Sequence, residues 1–393
     1  LVGLMLLMYT SLNTKFMINS VFNININFNK SKGSYLFDNN SNKSFLDVFS
    51  MFSSLPLGYN HEIFDESFDI KVKAVSHLRM SNNLFESNEL IDFEKKFNSI
   101  SFHKYLHLCA TGALAVESAL KCAFEIKKDP EAIVVGLKNS YHGINSWGFI
   151  TDSLISSVSQ RVINFPKNNW QNIPIEKINT FISNNINRIA AVIIEPIQCT
   201  AGDIYIDIDR LKDIELICKN NNICFIIDEI QTGFGVTGDY WYSKEIGLEP
   251  DIIVFGKKSQ ICGIMVNEDY SEAILSKYRK LEVTFDGELI DAIRCSYIID
   301  AIEKHLLLEN VKVKSKILMN ELSNLFINYR STGHLVAFDF LDNNIRDKFV
   351  KKCYSNFLLV NPTGDNSVRL RPNLAFSDND LDELVDKIKR SLN

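Results

Sequence analysis

The sequence lacks the features that would assign it to several large classes of protein. Its eight cysteines are scattered and none stand in a Cys-x-x-Cys pair, so reduced, buried thiols in a cytoplasmic protein fit it better than a disulfide framework. It has no long basic run, and its net charge of −6 argues against a nucleic-acid surface. No stretch approaches the roughly 20 apolar residues that a membrane span needs. We therefore expect no nucleic acid or membrane among its partners, and we predict no metal site.

The first eight residues are apolar but form only a short run, and the chain does not begin with Met. This segment fits a docking segment, a signal remnant or an upstream translation artefact, with Met8 and Met17 as alternative starts. A signal peptide is not expected, because no basic region and no clear small-residue cleavage site accompany the apolar run.

The 393 residues are too many for one simple domain, and 46% hydrophobic and 23% charged residues are ordinary for a soluble enzyme. Residues 22–28 alternate between apolar and polar side chains, which predicts a half-buried strand. Residues 33–37 and 44–49 flank a polar run that is typical of a hairpin turn. Residues 1–60 are therefore predicted to form a β segment that packs with a small domain.

The middle of the chain predicts a parallel sheet covered by helices. Residues 113–128 carry apolar side chains at helical spacing, with Glu117 and Lys121 four positions apart on the opposite face. Helical stretches such as 208–219 alternate with short, continuous apolar runs, at 132–135, 190–194, 224–227 and 252–255. Continuous apolar strands between helices indicate a sheet that is buried on both faces. Ligands of such sheets bind beyond the C-terminal ends of the strands.

The last hundred residues predict a different kind of domain. Residues 292–308 and 313–329 read as helices, 334–338 as a short strand and 380–392 as a closing helix. The chain is therefore divided into the N-terminal segment, a large domain at 61–285 and a C-terminal α+β domain at 286–393.

Two residues at predicted strand ends indicate the chemistry. Asp228 ends the apolar run 224–227, and Lys257 follows the run 252–255 after one glycine. A carboxylate that can pair with a protonated pyridine nitrogen and a lysine that can form a Schiff base are what pyridoxal 5′-phosphate (PLP) requires of a protein. Lys258 competes for the role of Lys257, since a lysine pair is often only a solvated surface feature.

Other residues in the order of the chain fit the same cofactor. The turn Thr111-Gly112-Ala113 precedes a helix and could bind a phosphate, although an ordinary helix cap is the alternative. Tyr141 could stack on a cofactor ring or be a core aromatic. Glu195 ends another apolar run, and Gln231 stands three residues after Asp228. Arg371 suits the binding of a substrate carboxylate through two parallel hydrogen bonds.

In this order, these residues resemble the class III aminotransferases, which are fold-type I PLP enzymes. The local sequence is closest to their L-lysine 6-aminotransferase (lysine ε-aminotransferase) branch, in which Gly-Lys-Lys-Ser-Gln-Ile-Cys-Gly at 256–263 is distinctive. The resemblance covers roughly residues 20 to 393, and its motifs stand at 45–54, 57–61, 111–121, 228–238, 255–263 and 368–372. It implies a large domain with a mostly parallel seven-stranded sheet covered by helices, and a smaller α+β domain built from the N-terminal segment and the C-terminal part.

The resemblance also implies a role for each site residue. Lys257 would bind the cofactor covalently and act as acid and base, and Asp228 would hold the pyridine nitrogen protonated. The other cofactor contacts would come from Gln231 to the ring hydroxyl, Tyr141 by stacking, and Gly112 and Ala113 through backbone N–H groups to the phosphate. Thr284 would reach the phosphate of the neighbouring subunit, which makes a homodimer expected. Arg371 would bind a substrate carboxylate.

Two positions depart from the family pattern. Ile144 follows Tyr-His-Gly where lysine aminotransferases have an arginine that contacts a substrate carboxylate. Thr200 stands where a glutamate ordinarily masks the substrate-binding arginine. The loss of a buried charged hydrogen bond typically costs about 2–5 kcal/mol, which is enough to change the substrate without affecting PLP chemistry.

The sequence therefore predicts a transaminase that moves the ε-amino group of L-lysine to 2-oxoglutarate, giving 2-aminoadipate 6-semialdehyde and glutamate. One alternative is the same chemistry on ornithine, a diamine or a modified amino acid, which Ile144 and Thr200 favour. Another is a PLP-fold protein without activity that serves as a binding partner, against which Asp228, Gln231 and Lys257 argue.

Overall fold

The computed structural model describes residues 22–80, 85–144, 169–277 and 280–393. Its strands are β1 (Tyr35–Asp38), β2 (Lys43–Asp47), β3 (Tyr105–Cys109), β4 (Ile133–Leu137), β5 (Trp170–Ile173), β6 (Ile189–Ile194), β7 (Ile197–Gln198), β8 (Ile204–Tyr205), β9 (Cys224–Asp228), β10 (Ile252–Phe255), β11 (Cys262–Val266), β12 (Ile327–Thr332), β13 (Leu335–Asp339), β14 (Leu358–Leu359), β15 (Asn361–Thr363) and β16 (Ser367–Leu370). Apart from the single turn Ser50–Ser53, its α-helices are α1 (Glu66–Val75), α2 (Asn88–Ile100), α3 (Gly112–Lys127), α4 (Ile178–Asn185), α5 (Ile208–Asn220), α6 (Tyr242–Ile246), α7 (Glu272–Leu275), α8 (Leu289–Lys304), α9 (Leu307–Leu322), α10 (Asn343–Ser355) and α11 (Asp378–Leu392).

The chain divides into two compact units, of which unit 1 comprises Leu1–Glu62 and Glu309–Asn393 and unit 2 comprises Ile63–Leu308. Unit 2 contains a seven-stranded sheet with the strand order β3-β11-β10-β9-β6-β4-β5. Strands β10, β9, β6, β4 and β5 run parallel, whereas β11 is antiparallel to both β10 and β3. The prediction of a mostly parallel, seven-stranded sheet is confirmed.

Helices cover both faces of this sheet. Side chains along each strand alternate between the two faces, so neighbouring residues pack against different helices. On one face, Val254 of β10 belongs to the same buried cluster as Val116 and Leu120 of α3. On the other face, the ring of Phe255 lies 5.0 Å from that of Phe97 on α2. The continuous apolar runs therefore read correctly as strands buried from two sides.

Unit 1 is the smaller α+β unit. It has a four-stranded antiparallel sheet, β12-β13-β16-β15, and a three-stranded sheet, β1-β2-β14. Its core includes Leu46 of β2, Phe338 of β13 and Leu384 of α11, which are fully buried. The predicted hairpin is confirmed as β1 and β2, and the predicted closing helix as α11.

Three predicted features differ in the structure. Residues 22–28 contribute only an isolated bridge between Ile26 and Asp38 rather than a strand. The helix predicted at 313–329 ends at Leu322, because residues 327–332 pair with β13 as β12. Helix α8 belongs to unit 2, so the units divide after residue 308 and not after 285. α8 also forms an ion pair of 2.6 Å within unit 2, between its Asp300 and Lys96 on α2.

Two further observations concern the cysteines and the helices. All eight cysteines are free, and seven of them are buried. Within the described ranges, no helix has both the length and the apolar composition to span a membrane.

Gly263 allows β11 to lie close to its neighbours, which leads to a stability prediction. A Cβ atom at this position would lie 2.4 Å from the carbonyl oxygen of His107 and 2.8 Å from the Phe255 ring. We expect Gly263→Ala to lower the free energy of unfolding by about 3 kcal/mol, since overpacking forces the strands apart. Urea denaturation of both proteins measures this difference.

Gly247→Ala is the control for that measurement. Gly247 has a φ of +71°, but the nearest atom to an added Cβ is 3.7 Å away, so only left-handed backbone strain of about 1 kcal/mol is expected. If Gly263→Ala proves no more destabilising than Gly247→Ala, then β3 and β11 do not pack as closely as described.

Candidate active site

A cavity of about 250 Å³ lies at the C-terminal ends of the parallel strands of unit 2. Residues from the ends of β6, β9 and β10, from the start of α3 and from the loop after β4 line it. The sequence predicted a ligand site at this edge, and the cavity brings together six of its eight predicted site residues, namely Gly112, Ala113, Tyr141, Asp228, Gln231 and Lys257.

Asp228 is held at the end of β9 by two hydrogen-bond donors. Its side chain is 4% exposed, and its Oδ2 lies 2.7 Å from Nδ1 of His142. Its Oδ1 accepts a hydrogen bond of 3.0 Å from the backbone N–H of Ile230. A buried carboxylate needs such partners because it has lost its hydration. Both contacts fix the direction in which the carboxylate faces.

Lys257 lies beyond the end of the adjacent strand. β10 ends at Phe255, and Lys257 begins a short 3₁₀ turn, Lys257–Ser259, with a left-handed φ of +51°. A left-handed conformation is unfavourable for lysine, and such outliers concentrate at functional sites. Lys257 lines the cavity, whereas Lys258 is 2% exposed and lies outside the lining of the cavity in the described part of the chain. The geometry therefore separates the two lysines that the sequence left in competition.

Cys262 forms part of the wall beside Lys257. Its thiol interacts with the backbone of Lys257, and burial raises its pKa to about 11. A Cβ on Gly256 would lie 2.9 Å from its sulfur, so the glycine between strand and lysine makes room for this thiol. This contact could not be predicted from the sequence, because it depends on how β11 returns beside β10.

The start of α3 forms another wall of the cavity. Thr111 caps the helix by accepting a hydrogen bond of 3.2 Å from the backbone N–H of Leu114, and the first turn contains no acidic residue. Gly112 and Ala113 line the cavity directly. A Cβ on Gly112 would lie 2.9 Å from Ile230, and one on Gly143 would lie 2.8 Å from the Cβ of Ala113. This helix end combines close packing with the positive end of a helix dipole, which favours an anion.

Tyr141 and Glu195 meet on the other side of the cavity. The backbone N–H of Tyr141 donates a hydrogen bond of 2.6 Å to Oε1 of Glu195. Burial raises the pKa of Glu195 to about 7, with Asp228 adding to this effect and His142 and Lys257 opposing it. Burial also raises the pKa of the Tyr141 phenol. Glu195 is thus a buried carboxyl group with a pKa near neutral pH, and it lies close enough to Asp228 and Lys257 for their charges to affect it.

Two predicted site residues stand elsewhere. Thr284 is exposed in the loop that precedes α8. Arg371 belongs to unit 1, where it is fully buried and its Nη1 donates to the carbonyl oxygens of Val336 at 3.3 Å and Leu370 at 3.0 Å. Their roles remain predictions. Of the two departing positions, Ile144 lines the cavity with 58% of its surface exposed, and Thr200 is buried after β7.

A family model of the class III aminotransferases matches residues 16–392. The chain belongs to the class III aminotransferases. An L-lysine-epsilon aminotransferase of Amycolatopsis lactamdurans is 28% identical over 94% of this chain and 92% of the relative. An acetylornithine aminotransferase of Archaeoglobus fulgidus is 27% identical over 91% of this chain and 93% of the relative. A solved structure, the lysine aminotransferase from M. tuberculosis in the internal aldimine form, is 25% identical with a TM-score of 0.91, each chain being covered to 97%.

The predicted family, the fold and the transaminase class are confirmed, and the cofactor is PLP. The residues of this class III aminotransferase fit that cofactor. The glycine-lined end of α3 suits its phosphate, Asp228 suits its pyridine nitrogen, and Lys257 carries an amine that could form its Schiff base. Gly112 and Ala113 contribute only backbone and one methyl group to the lining of the cavity, so no large side chain of α3 separates its first N–H groups from an anion.

Sequence reasoning missed His142 as a partner of Asp228. The two residues are 86 positions apart, and only the fold brings the loop after β4 to the end of β9. The available signal was a histidine directly after Tyr141 in a loop that follows a buried strand. That loop was interpreted through its tyrosine alone.

The raised pKa of Glu195 leads to a prediction about stability. A carboxyl group whose pKa is raised on folding from 4.5 to about 7 holds its proton more tightly in the folded chain, so the free energy of unfolding falls as pH rises through this window. Glu195→Gln removes this titration and keeps an oxygen that can accept from Tyr141. We expect the variant to gain stability over the wild type between pH 4.5 and 7, by up to about 3 kcal/mol. Urea unfolding of the cofactor-free proteins at intervals of pH measures the difference, and a pH-independent difference would contradict the prediction.

Proposed function

We propose that this class III aminotransferase moves the ε-amino group of L-lysine to 2-oxoglutarate, giving 2-aminoadipate 6-semialdehyde and glutamate. The observation that carries the proposal is the single cavity lined by Lys257, Asp228 and the start of α3. The names of the relatives from A. lactamdurans and M. tuberculosis support lysine as the donor.

When bound, PLP withdraws electrons from the amine-bearing carbon of the substrate, so that a proton can leave it. We infer that Lys257 would hold the cofactor and that its Nζ would take this proton and return it. Asp228 keeps the pyridine nitrogen protonated, and His142 orients that carboxylate through the bond to Oδ2. Gln231 would bond the ring hydroxyl, Tyr141 would stack on the ring, and the backbone of Gly112 and Ala113 would hold the phosphate.

The substrate end of the site is proposed to depend on Arg371, which would bind a carboxylate of the amino donor or of the 2-oxo acid. Thr200 cannot mask this arginine by an ion pair, because it carries no charge. Ile144 offers the cavity an apolar side chain where lysine aminotransferases have an arginine. These two residues support the alternative that the same chemistry acts on ornithine, a diamine or a modified amino acid.

We further propose a homodimer, in which Thr284 of each subunit reaches the cofactor phosphate of the other. The exposed position of Thr284 in the loop before α8 supports this role. We also propose a cytoplasmic location, which the eight free cysteines support.

The visible absorption spectrum of the protein with PLP tests the proposed function. We expect a yellow band that is lost when L-lysine is added and returns with 2-oxoglutarate. A band that ignores lysine overturns lysine as the donor, and a screen of other amines follows. A protein that shows no band with PLP overturns the catalytic proposal and favours the binding-partner alternative.

The choice between the two lysines can be tested with matched variants. We expect Lys257→Met to lose the cofactor band and to lower turnover by about 10⁴-fold or more, since both the covalent link and the proton transfer are lost. Lys258→Met, which keeps the buried stem, should retain the band and most of the activity. Spectra and steady-state rates of both variants give the answer, and the reverse pattern would move the role to Lys258.

The substrate assignment can be tested at Ile144. We expect Ile144→Arg to lower the KM for L-lysine by about tenfold, because a charge-assisted hydrogen bond to the substrate carboxylate is worth about 1.5–3 kcal/mol. The control substrate is 1,5-diaminopentane, which is lysine without its carboxylate and should show no such gain. An equal fall in KM for both amines would show that the side chain does not contact the carboxylate.

A further inference from the structure

Asp286 connects two parts of unit 2 that carry predicted phosphate contacts. It lies in the residue 281–288 segment, here named the Thr284 loop, and is 3% exposed. Its Oδ1 accepts a hydrogen bond of 2.9 Å from the backbone N–H of Ala110. Its Oδ2 accepts one of 2.9 Å from the backbone N–H of Val283. Each oxygen of this buried carboxylate therefore accepts a hydrogen bond from a different segment of the chain.

The two donors stand next to functional positions. Ala110 lies directly before Thr111, which caps α3 at the helix end that lines the cavity. Val283 lies directly before Thr284. Its carbonyl oxygen accepts a hydrogen bond of 3.0 Å from the backbone N–H of Asp286, which closes the turn that carries Thr284. The carboxylate thus spans the distance between the phosphate-binding turn and the turn of the Thr284 loop.

His107 provides a second tie between β3 and the same loop. A hydrogen bond links its ring to the backbone of Leu281, and its Nε2 lies 3.9 Å from Oδ2 of Asp286. His107 is itself buried. The end of β3 and the Thr284 loop are therefore joined at two places, through the buried side chains of Asp286 and His107.

We propose that Asp286 is a positioning residue that fixes the turn Thr111–Ala113 and the Thr284 loop relative to each other. This inference rests on the proposed function, in which Thr284 reaches the cofactor of the partner subunit. One carboxylate then sets the geometry of two phosphate sites, its own subunit's through Ala110 and the partner's through Val283.

Glu288 shows what an ordinary loop carboxylate does at nearly the same place. Its Oε2 accepts from the backbone N–H groups of Ile290 at 3.1 Å and Asp291 at 3.3 Å, so both of its bonds remain at the start of α8. It caps a helix and, among the described residues, joins no second segment. Glu288→Gln is therefore the matched control for a change of Asp286.

The first experiment measures the PLP dissociation constant of the cofactor-free full-length protein by titration and visible absorbance. Asp286→Asn keeps the shape of the side chain but replaces one acceptor oxygen with a donor NH₂, so one of the two backbone N–H groups loses its partner. We expect the dissociation constant to rise by about tenfold or more, while Glu288→Gln stays within about twofold of the wild type. At saturating PLP, the KM for the amino donor should remain unchanged, since Asp286 acts on the phosphate end. A dissociation constant within twofold of the wild type for Asp286→Asn overturns the inference.

Hybrid dimers test the two contacts of Asp286, to Ala110 and to Val283, separately. When one subunit carries Lys257→Met, only the other subunit can react. Asp286→Asn in the reacting subunit probes the turn Thr111–Ala113, and Asp286→Asn in the Lys257→Met subunit probes the loop that reaches across. We expect both hybrids to need more PLP for half-maximal activity than the hybrid without Asp286→Asn. If only one does, or if the protein is a monomer, the coupling of two sites is overturned.

These outcomes separate the inference from the function on which it rests. A wild type that binds PLP and transaminates, with an Asp286→Asn variant of equal PLP affinity, overturns the inference alone. A wild type without a cofactor band overturns the proposed function, and the inference falls with it.

Discussion

The candidate site depends on the register of two neighbouring parallel strands, β9 and β10. Asp228, the last residue of β9, stands opposite Val254, so Lys257 follows only three residues beyond the paired position. Because parallel strands end at the same edge of a sheet, the carboxylate and the amine are brought together by the sheet itself and not by mobile connections. The helix end at Gly112 and the loop that carries His142 are then added around this pair.

At the ends of β9 and β10, neighbouring residues of similar chemistry have different tasks. Asp228 contributes to the cavity, whereas Glu229 beside it accepts the backbone N–H groups of Tyr242 at 2.7 Å and Ser243 at 2.8 Å. The carboxylate of Glu229 thus accepts hydrogen bonds from the first backbone N–H groups of helix α6. Lys257 and Lys258 divide in a similar way, one lining the cavity and the other buried outside its lining. A pair of equal charges in the sequence is therefore no guide to which member is functional.

Much of the fold could be predicted because its signals are local. Continuous apolar runs predicted β6, β9 and β10, and apolar residues at helical spacing predicted α3. The antiparallel strands β3 and β11 carried no such signal, since His107 and Gly263 interrupt their apolar pattern and only their pairing makes them strands. That Asp228 and Lys257 would meet at strand ends was predictable for the same local reason. The bonds of Asp228 to His142 and of Asp286 to Ala110 were not, because they join residues 86 and 176 positions apart.

The positions of the residues in the fold explain why the type of reaction is easier to assign than the substrate. The proposed cofactor residues lie at the ends of strands and at the start of a helix, where any displacement would disturb the buried core. Ile144 lies in a connecting loop and is largely exposed, so a change of its side chain costs the fold little. Arg371 belongs to a different compact unit from the cavity residues. A class III aminotransferase can therefore lose or gain a recognition charge for its amino donor while the residues that move the proton stay unchanged.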